Sequence, residues 1–425
     1  MDITGIHALF LKCNSVSIDT RKIQPVSLFI AIKGERFDAN TFAAEALQKG
    51  ASYVIIDNQE FYIDERTILV DDSLATLQEL AKYHRNYLKL PIIALTGSNG
   101  KTTTKELIQV VLSKKFNAKA TVGNLNNHIG VPLTLLSFTK DTEIGIVEMG
   151  ANHQKEIEFL CELTQPDYGY ITNFGKAHLE GFGGVEGVIK GKSEMYEYLL
   201  ASGKMAFVNL EDPIQMQKTV NIKSFSFGFK NADLIIDSVK ANPFVRIVYG
   251  PNSISSRLIG LYNANNINAA IAIGKYFEID DSKIREALES YTPDNNRSQL
   301  LHKDTNVIIL DAYNANPSSM IVALENFLQL GGDNKIAILG DMFELGSESL
   351  GEHKSIITHL KNEKQTSFIF IGKDFYAGRI ARENFLFFET FDALATFMTD
   401  NPIKNSTILI KGSRGMALEK VLEFL

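Results

Sequence analysis

The sequence predicts an α/β protein of three domains: a small N-terminal α/β domain, a central parallel sheet with helices that carries a glycine-rich phosphate-binding loop, and a C-terminal Rossmann-like α/β domain. Three observations predict it. Apolar runs without polar alternation, such as residues 143–147 and 168–172, alternate with helical segments, as strands buried on both faces of a parallel sheet require. A chain of 425 residues with 45% hydrophobic content exceeds what a single core usually holds. Breaks fall near Leu88 and in the cluster Tyr291-Thr292-Pro293-Asp294-Asn295-Asn296-Arg297, which divides the chain into residues 1–88, 89–297 and 298–425.

In the first unit, the runs 27–32 and 51–56 read as strands around a helical stretch at 42–50, and residues 72–87 carry apolar groups at helical spacing. Pro91 then opens the strand Ile92-Ile93-Ala94-Leu95, which runs directly into the glycine-rich segment and a helix over 104–112. Further strands at 307–310, 336–339, 367–371 and 407–410 alternate with helical segments in the third unit.

Composition excludes several classes of function. The 43 basic residues are scattered among 50 acidic ones, and the net charge of -7 gives no field that would draw the chain to nucleic acid. The two cysteines, Cys13 and Cys161, lie outside any CxxC spacing, so neither a disulfide framework nor a zinc site is expected. The start of the chain lacks a basic region leading into an apolar one, and nowhere do about 18 apolar residues run together. A soluble, cytoplasmic monomer acting on small molecules is the expectation, without nucleic-acid or membrane partners.

The segment Thr96-Gly97-Ser98-Asn99-Gly100-Lys101-Thr102-Thr103 lies between a strand and a helix. There, backbone N–H groups converge on phosphate oxygens at a helix N-terminus. An ordinary strand-to-helix turn needs neither a lysine after its last glycine nor three threonines following it. The full phosphate-loop pattern has a glycine at position 95, where this chain has Leu95, so the loop is a shortened variant. Lys101 would reach the β- and γ-phosphates of a nucleoside triphosphate, and Thr102 a magnesium ion. Glu148 ends the run 144–147 and is a candidate carboxylate for that ion, although an acid at a strand end also serves as a cap. Asn173 and His178 follow another strand in a glycine-rich loop, where ligand groups belong. Lys192, in Lys190-Gly191-Lys192-Ser193-Glu194, reads by itself as a surface charge.

Together these segments resemble the Mur ligase family, ATP-dependent enzymes that build the peptide of peptidoglycan precursors. The specific strings are Asn124-Leu125-Asn126-Asn127-His128-Ile129-Gly130-Val131-Pro132, Asp311-Ala312-Tyr313-Asn314-Ala315-Asn316-Pro317 and Leu339-Gly340-Asp341-Met342-Phe343-Glu344-Leu345-Gly346. They resemble those of the branch that joins D-alanyl-D-alanine to a UDP-N-acetylmuramoyl-tripeptide. Asp19-Thr20-Arg21 and Gly34-Glu35-Arg36-Phe37-Asp38 near the start, and Lys411-Gly412-Ser413-Arg414-Gly415-Met416 near the end, extend the likeness over essentially the whole chain.

The resemblance implies that Gly97, Ser98, Asn99, Gly100, Lys101, Thr102 and Thr103 bind ATP. It further implies that Thr102, Glu148, His178 and Lys192 hold two magnesium ions, with Lys192 carbamylated by carbon dioxide. A carbamate is an anionic oxygen ligand, whereas an ammonium would repel the metal. By the same likeness Asn266 contacts the adenine, Arg297 approaches the γ-phosphate and Asp311 meets the nucleotide from the third unit. Lys101, Glu148, His178, Lys192 and Arg297 form the implied catalytic set. Asp19, Arg21, Phe29, Gly34 and Asp38 would hold the uridine nucleotide, with Asn126 and Asn127 also on the substrate, and Tyr313, Asn314 and Asn316 would hold D-alanyl-D-alanine. The chain departs from the family pattern at Tyr262, where histidine is common, and at Thr20, where serine is. The implied chemistry forms an acyl phosphate that an amine then attacks, with the domains closing on the substrates. The alternatives are another ligase of this family, adding a diamino acid or extending folate with glutamate, and a nucleotide switch or kinase that uses only the loop.

Overall fold

The computed structural model describes residues 1–425 apart from Arg36, Asp294, Asn295 and Asp333. Arg36 belongs to the segment read as part of the uridine site, and Asp294 and Asn295 to the second break, so those portions of the two readings lie outside the described residues.

Four sheets are present among the described residues. The strands Ser15–Ser17, Ser27–Ile30, Ala51–Ile56 and Thr67–Leu69 form a parallel sheet in that order. Helix Ser73–Leu88 follows, started by the Asp72 side chain on Ala75 N and stopped by Lys89 in the left-handed conformation. The central parallel sheet has seven strands, with Ile92–Thr96 between Ile144–Glu148 on one side and Tyr168–Ile171 on the other. From Ile92–Thr96 the chain crosses to the edge strand Ala118–Ala120 and returns to Ile144–Glu148 on one side, and from Tyr168 on it builds outward on the other. The order therefore reverses beside this strand, and in open parallel sheets ligands bind at the carboxyl ends there. Leu95 is fully buried and still pairs with Glu148 as part of the strand, which is why the loop starts later than in the longer pattern.

The third unit carries a six-stranded sheet in which Asn306–Asp311 lies beside Thr407–Lys411, followed by Lys335–Gly340, Thr366–Ile371 and Phe385–Phe388, all parallel. Two features were not expected from the sequence. Strand Gln299–Lys303 pairs antiparallel with Asn306–Asp311, and Ser238–Ala241, Phe244–Tyr249 and Asn252–Ile259 form a separate antiparallel sheet within the middle of the chain. In Phe244–Tyr249 the buried residues are Val245, Ile247 and Tyr249, the alternation of a sheet with one wet face, which a search for continuous apolar runs passes over. No helix among the described residues is long and apolar enough to cross a membrane.

Helix Ile3–Phe10 is fastened to the rest through a buried histidine chain: His7 Nε2 lies 3.0 Å from His84 Nδ1, and His84 Nε2 lies 2.9 Å from the Phe138 carbonyl. The carbonyl can only accept, so His84 donates from Nε2 and accepts from His7, and both rings are neutral. Burial, and then the neighbouring His84, push the His7 pKa down to about 4. The unfolded chain therefore binds the proton first as pH falls, and stability should drop as pH is lowered from about 6.5 towards 4, by on the order of 1–2 kcal/mol after solvent screening. Urea midpoints at pH 5 and pH 7 check this: His7→Phe should flatten the difference, and an unchanged difference would refute the assignment.

Candidate active site

The phosphate loop owes its shape to two glycines. Gly97 has φ +144°, and a Cβ there would lie 1.9 Å from Thr172 Oγ1 and 2.9 Å from Thr172 N. Gly100 has φ +79°, and its Cβ would meet Asn266 Oδ1 at 2.6 Å. Helix Lys101–Leu112 starts directly after Gly100, three residues earlier than its apolar pattern indicates, because the glycine caps it without a side-chain bond. The loop is clamped by the next strand's exit. Asn99 N donates to Asn173 Oδ1 at 3.1 Å, while the Asn99 carbonyl accepts the Thr172 hydroxyl at 2.6 Å and Asn173 Nδ2 at 2.9 Å. Gly97→Ala should cost roughly 1–3 kcal/mol of local strain and weaken ATP binding at least tenfold with the fold retained. Calorimetric titration beside a melting curve measures both, and unchanged ATP affinity would contradict the role given to the loop.

Lys101 Nζ donates to the Gly97 carbonyl at 2.7 Å and lies across the loop. Burial pushes its pKa down, the Glu148 carboxylate opposes that, and the Arg297 charge adds to it. Behind it, Glu148 is 2% exposed; its Oε1 accepts from Thr102 Oγ1 at 3.2 Å and Asn126 Nδ2 at 2.9 Å. Its Oε2 is buried with no hydrogen-bond partner among the described residues, and the buried Lys105 ammonium stands 3.9 Å from it as a counter-charge. A buried carboxylate oxygen without a donor is costly, and beside a threonine hydroxyl it makes the hard oxygen set that magnesium takes.

The opposite wall comes from the third unit. Asp311 and Lys411 are register partners at the carboxyl ends of adjacent strands, and their side chains pair at 2.5 Å. Asp311 Oδ1 also accepts from Ser298 N at 3.3 Å. The Arg297 guanidinium stacks 3.7 Å from the Tyr313 ring centroid, and Arg297 Nε is buried without a partner among the described residues. Between the walls lies a cavity of about 670 Å³, of a size that holds a small-molecule ligand. It thus combines an acceptor that takes no hydrogen bond among the described residues, Glu148 Oε2, with a donor that makes none, Arg297 Nε.

Most of the residues singled out in the sequence line this cavity: Ser98, Asn99, Gly100, Lys101, Thr102, Thr103, Asn126, Asn127, Glu148, His178, Asn266, Arg297, Asp311, Tyr313, Asn314 and Asn316. Several also make hydrogen bonds within the protein. Asn316 caps helix Pro317–Gln329 by accepting Ser319 N at its Oδ1, while its Nδ2 donates to Asn99 Oδ1 at 2.7 Å and ties the third unit to the phosphate loop. Asn266 accepts the Thr104 hydroxyl at 3.0 Å and donates to Asn263 at 2.9 Å, so its amide is engaged in packing the loop's helix. Asn127 Oδ1 accepts Gly130 N at 2.8 Å at the head of the next helix.

Other expectations need correction. Lys192 is not a surface charge: it is 1% exposed, with Nζ 5.2 Å from the Phe182 ring centroid, and stands behind the cavity rather than on its lining. The side chain of Phe29 is 1% exposed and packs with Ala31, Ala43 and Val54, so it cannot stack on a nucleotide. Asp19, Arg21, Gly34 and Asp38, whose expected site is on the first unit, do not line this cavity; Asp19 pairs with Arg21 at 2.8 Å, and Asp38 accepts from Asn40 Nδ2 at 2.7 Å.

Lys411, Glu156 and Glu344 also line the cavity; no local pattern in the sequence gives them a role, although Lys411 and Glu344 lie within the segments 411–416 and 339–346 that carry the family resemblance. Elsewhere, Asp341, His353 and Asp374 come close enough to suggest a metal site. Their atoms are committed to the fold: Met342 N donates to His353 Nε2 at 2.9 Å, Asp374 N and Phe375 N each donate to Asp341 at 3.0 Å, and the Ser349 hydroxyl donates to Asp374 at 2.7 Å.

Known proteins share this organisation. Family models match residues 12–85 (Mur ligase family, catalytic domain), 95–274 (Mur ligase middle domain) and 296–414 (Mur ligase, glutamate ligase domain). The chain is 34% identical to the UDP-N-acetylmuramoyl-tripeptide--D-alanyl-D-alanine ligase of Bacillus subtilis (strain 168), over 97% of this chain and 93% of that protein. The chain belongs to the Mur ligase family. Among solved structures, this Mur ligase superposes on MurF from Acinetobacter baumannii with a TM-score of 0.86 at 30% identity, covering 96% of this chain and 92% of that one. On the MurF ligase of Thermotoga maritima in complex with ADP the TM-score is 0.84 at 26% identity, covering 98% and 97%. The α/β architecture expected from the sequence is thus that of these ligases.

Proposed function

We propose that this Mur ligase is an ATP-dependent peptide ligase that adds D-alanyl-D-alanine to UDP-N-acetylmuramoyl-tripeptide, releasing ADP and phosphate and forming the pentapeptide precursor of peptidoglycan in the cytoplasm. The observation that carries the reading is the single cavity in which the phosphate loop with Lys101, Thr102 and Glu148 faces Arg297, Asp311 and Tyr313 of the third unit. A nucleotide switch or kinase has no need of that second wall, and the curated relative is a dipeptide-adding ligase.

The tripeptide's terminal carboxylate attacks the γ-phosphorus of ATP, and ADP leaves. The amine of the dipeptide then adds to the acyl phosphate, and phosphate departs from the tetrahedral intermediate. Lys101 and Arg297 offset the charge of two anions that otherwise repel, and Arg297 Nε supplies an open donor towards phosphate oxygens. Asp311 holds Lys411 in place, and Tyr313 fixes the guanidinium plane from below. Thr102 and Glu148 would hold one magnesium ion, and His178 with carbamylated Lys192 a second. When bound, magnesium supplies further charge neutralisation at the phosphates. Burial, and then the charge of Lys101, push the Lys192 pKa well down, and a neutral amine is the form that takes up carbon dioxide. Residues 1–88, with Asp19, Arg21, Gly34 and Asp38, are proposed as the uridine-binding domain, residues 89–297 as the ATP domain, and residues 298–425 as the domain that receives the dipeptide, with Asn314 exposed beside Tyr313.

Phosphate release with ATP, the lysine- or diaminopimelate-containing tripeptide precursor and D-alanyl-D-alanine tests class and substrate together. Release should require all three. Equal release without the dipeptide would leave a switch or kinase, and release with glutamate or a diamino acid instead would indicate another ligase of the family.

A further inference from the structure

We propose that Glu344, supplied by the third unit, is a positioning residue that fixes the ring of His178, so that this half of the metal site is complete only when the third unit is docked. The proposal rests on the reading of His178 as a metal ligand given above. Glu344 Oε2 makes an ion-pair contact with His178 Nδ1, close but outside hydrogen-bond alignment, and both side chains line the cavity. The two come from turns on opposite sides of a seam, each with a left-handed backbone, φ 53° at His178 and 62° at Glu344.

The seam is held on both sides of the pair. Lys176 N donates to Ser318 Oγ at 2.9 Å and Lys176 Nζ to Glu352 at 2.7 Å, and a Cβ on Gly346 would come within 3.1 Å of the Glu180 side chain. Imidazole has two nitrogens, and a carboxylate at Nδ1 selects the tautomer with its proton there. The lone pair is then left on Nε2, the form a metal ion requires. A histidine with a carboxylate behind it is also a more basic ligand and cannot turn away. An exposed clip between two loops would make little difference to metal binding, so the two roles separate by measurement.

The probe is manganese, counted by its electron paramagnetic resonance in titrations of the full chain with ADP. Glu344→Ala should weaken the second, looser ion about 10- to 100-fold while leaving the tighter ion unchanged and the melting temperature within about 2 °C. Glu344→Gln, which keeps an acceptor, should recover part of the loss, and His178→Ala should lose the same ion. If His178→Ala weakens that ion and Glu344→Ala does not, the positioning role is overturned while His178 stands as a ligand. If neither variant changes manganese binding, the metal reading of His178 fails and the inference with it. Loss in Glu344→Ala alone would make Glu344 a ligand itself and overturn the positioning role.

Discussion

Lys101→Met is expected to lower kcat about a thousandfold with little change in melting temperature. The ammonium is the loop's only side-chain cation and lies across it, bonded to the Gly97 carbonyl. With a triphosphate present, the γ-phosphate and the incoming carboxylate must approach each other as two anions, and a fixed positive charge matters most where that charge is shared in the transition state. The two hydrogen bonds that Lys101 makes to its own loop are a modest part of the fold, because Asn173 and Thr172 clamp the loop independently. Single-turnover formation of acyl phosphate should fall with kcat, while the KM for the dipeptide stays close to that of the parent chain. A kcat within tenfold of the parent would show that this lysine is not part of the reacting centre.

Lys192→Met should lose activity to a similar extent, about a thousandfold, and a short carboxylic acid such as acetate or formate should restore part of it. Methionine keeps the volume of a side chain that is 1% exposed, so the variant tests charge rather than packing. The Lys192 ammonium faces the Phe182 ring, and the carboxylates of Glu156 and Glu194 only partly offset its burial and the charge of Lys101. A buried lysine whose burial outweighs its nearby carboxylates is costly unless it is neutral or chemically changed. Rescue by an added carboxylate would identify the missing group as an anionic oxygen. Full activity in Lys192→Met would remove both the carbamate and this lysine from the mechanism.

Much of the site was legible because its signals are local. The loop at 96–103 combines a buried strand, two glycines with positive φ and a helix that starts at Lys101, and each step is written in adjacent residues. Glu148 was found by the same logic, since a carboxylate at a parallel strand's end stands beside its neighbour's loop. In the string 311–317 the resemblance points Asp311 at the nucleotide and Tyr313, Asn314 and Asn316 at the dipeptide. Asn316 instead spends both amide atoms on a helix cap and on Asn99, a partner 217 positions away.

What the sequence by itself determined is the alternation of buried strands and helices, the phosphate loop and the family to which its strings point. These follow from steric and periodic rules that act over a few residues. Only the tertiary structure decided that Lys192 is enclosed, that Phe29 faces a core, that Asp311 meets Lys411 at the ends of parallel strands and that Glu344 reaches His178. Burial and charge pairing depend on which elements pack together. A lysine in an amphipathic stretch looks the same whether its face meets water or another helix, until the packing is known.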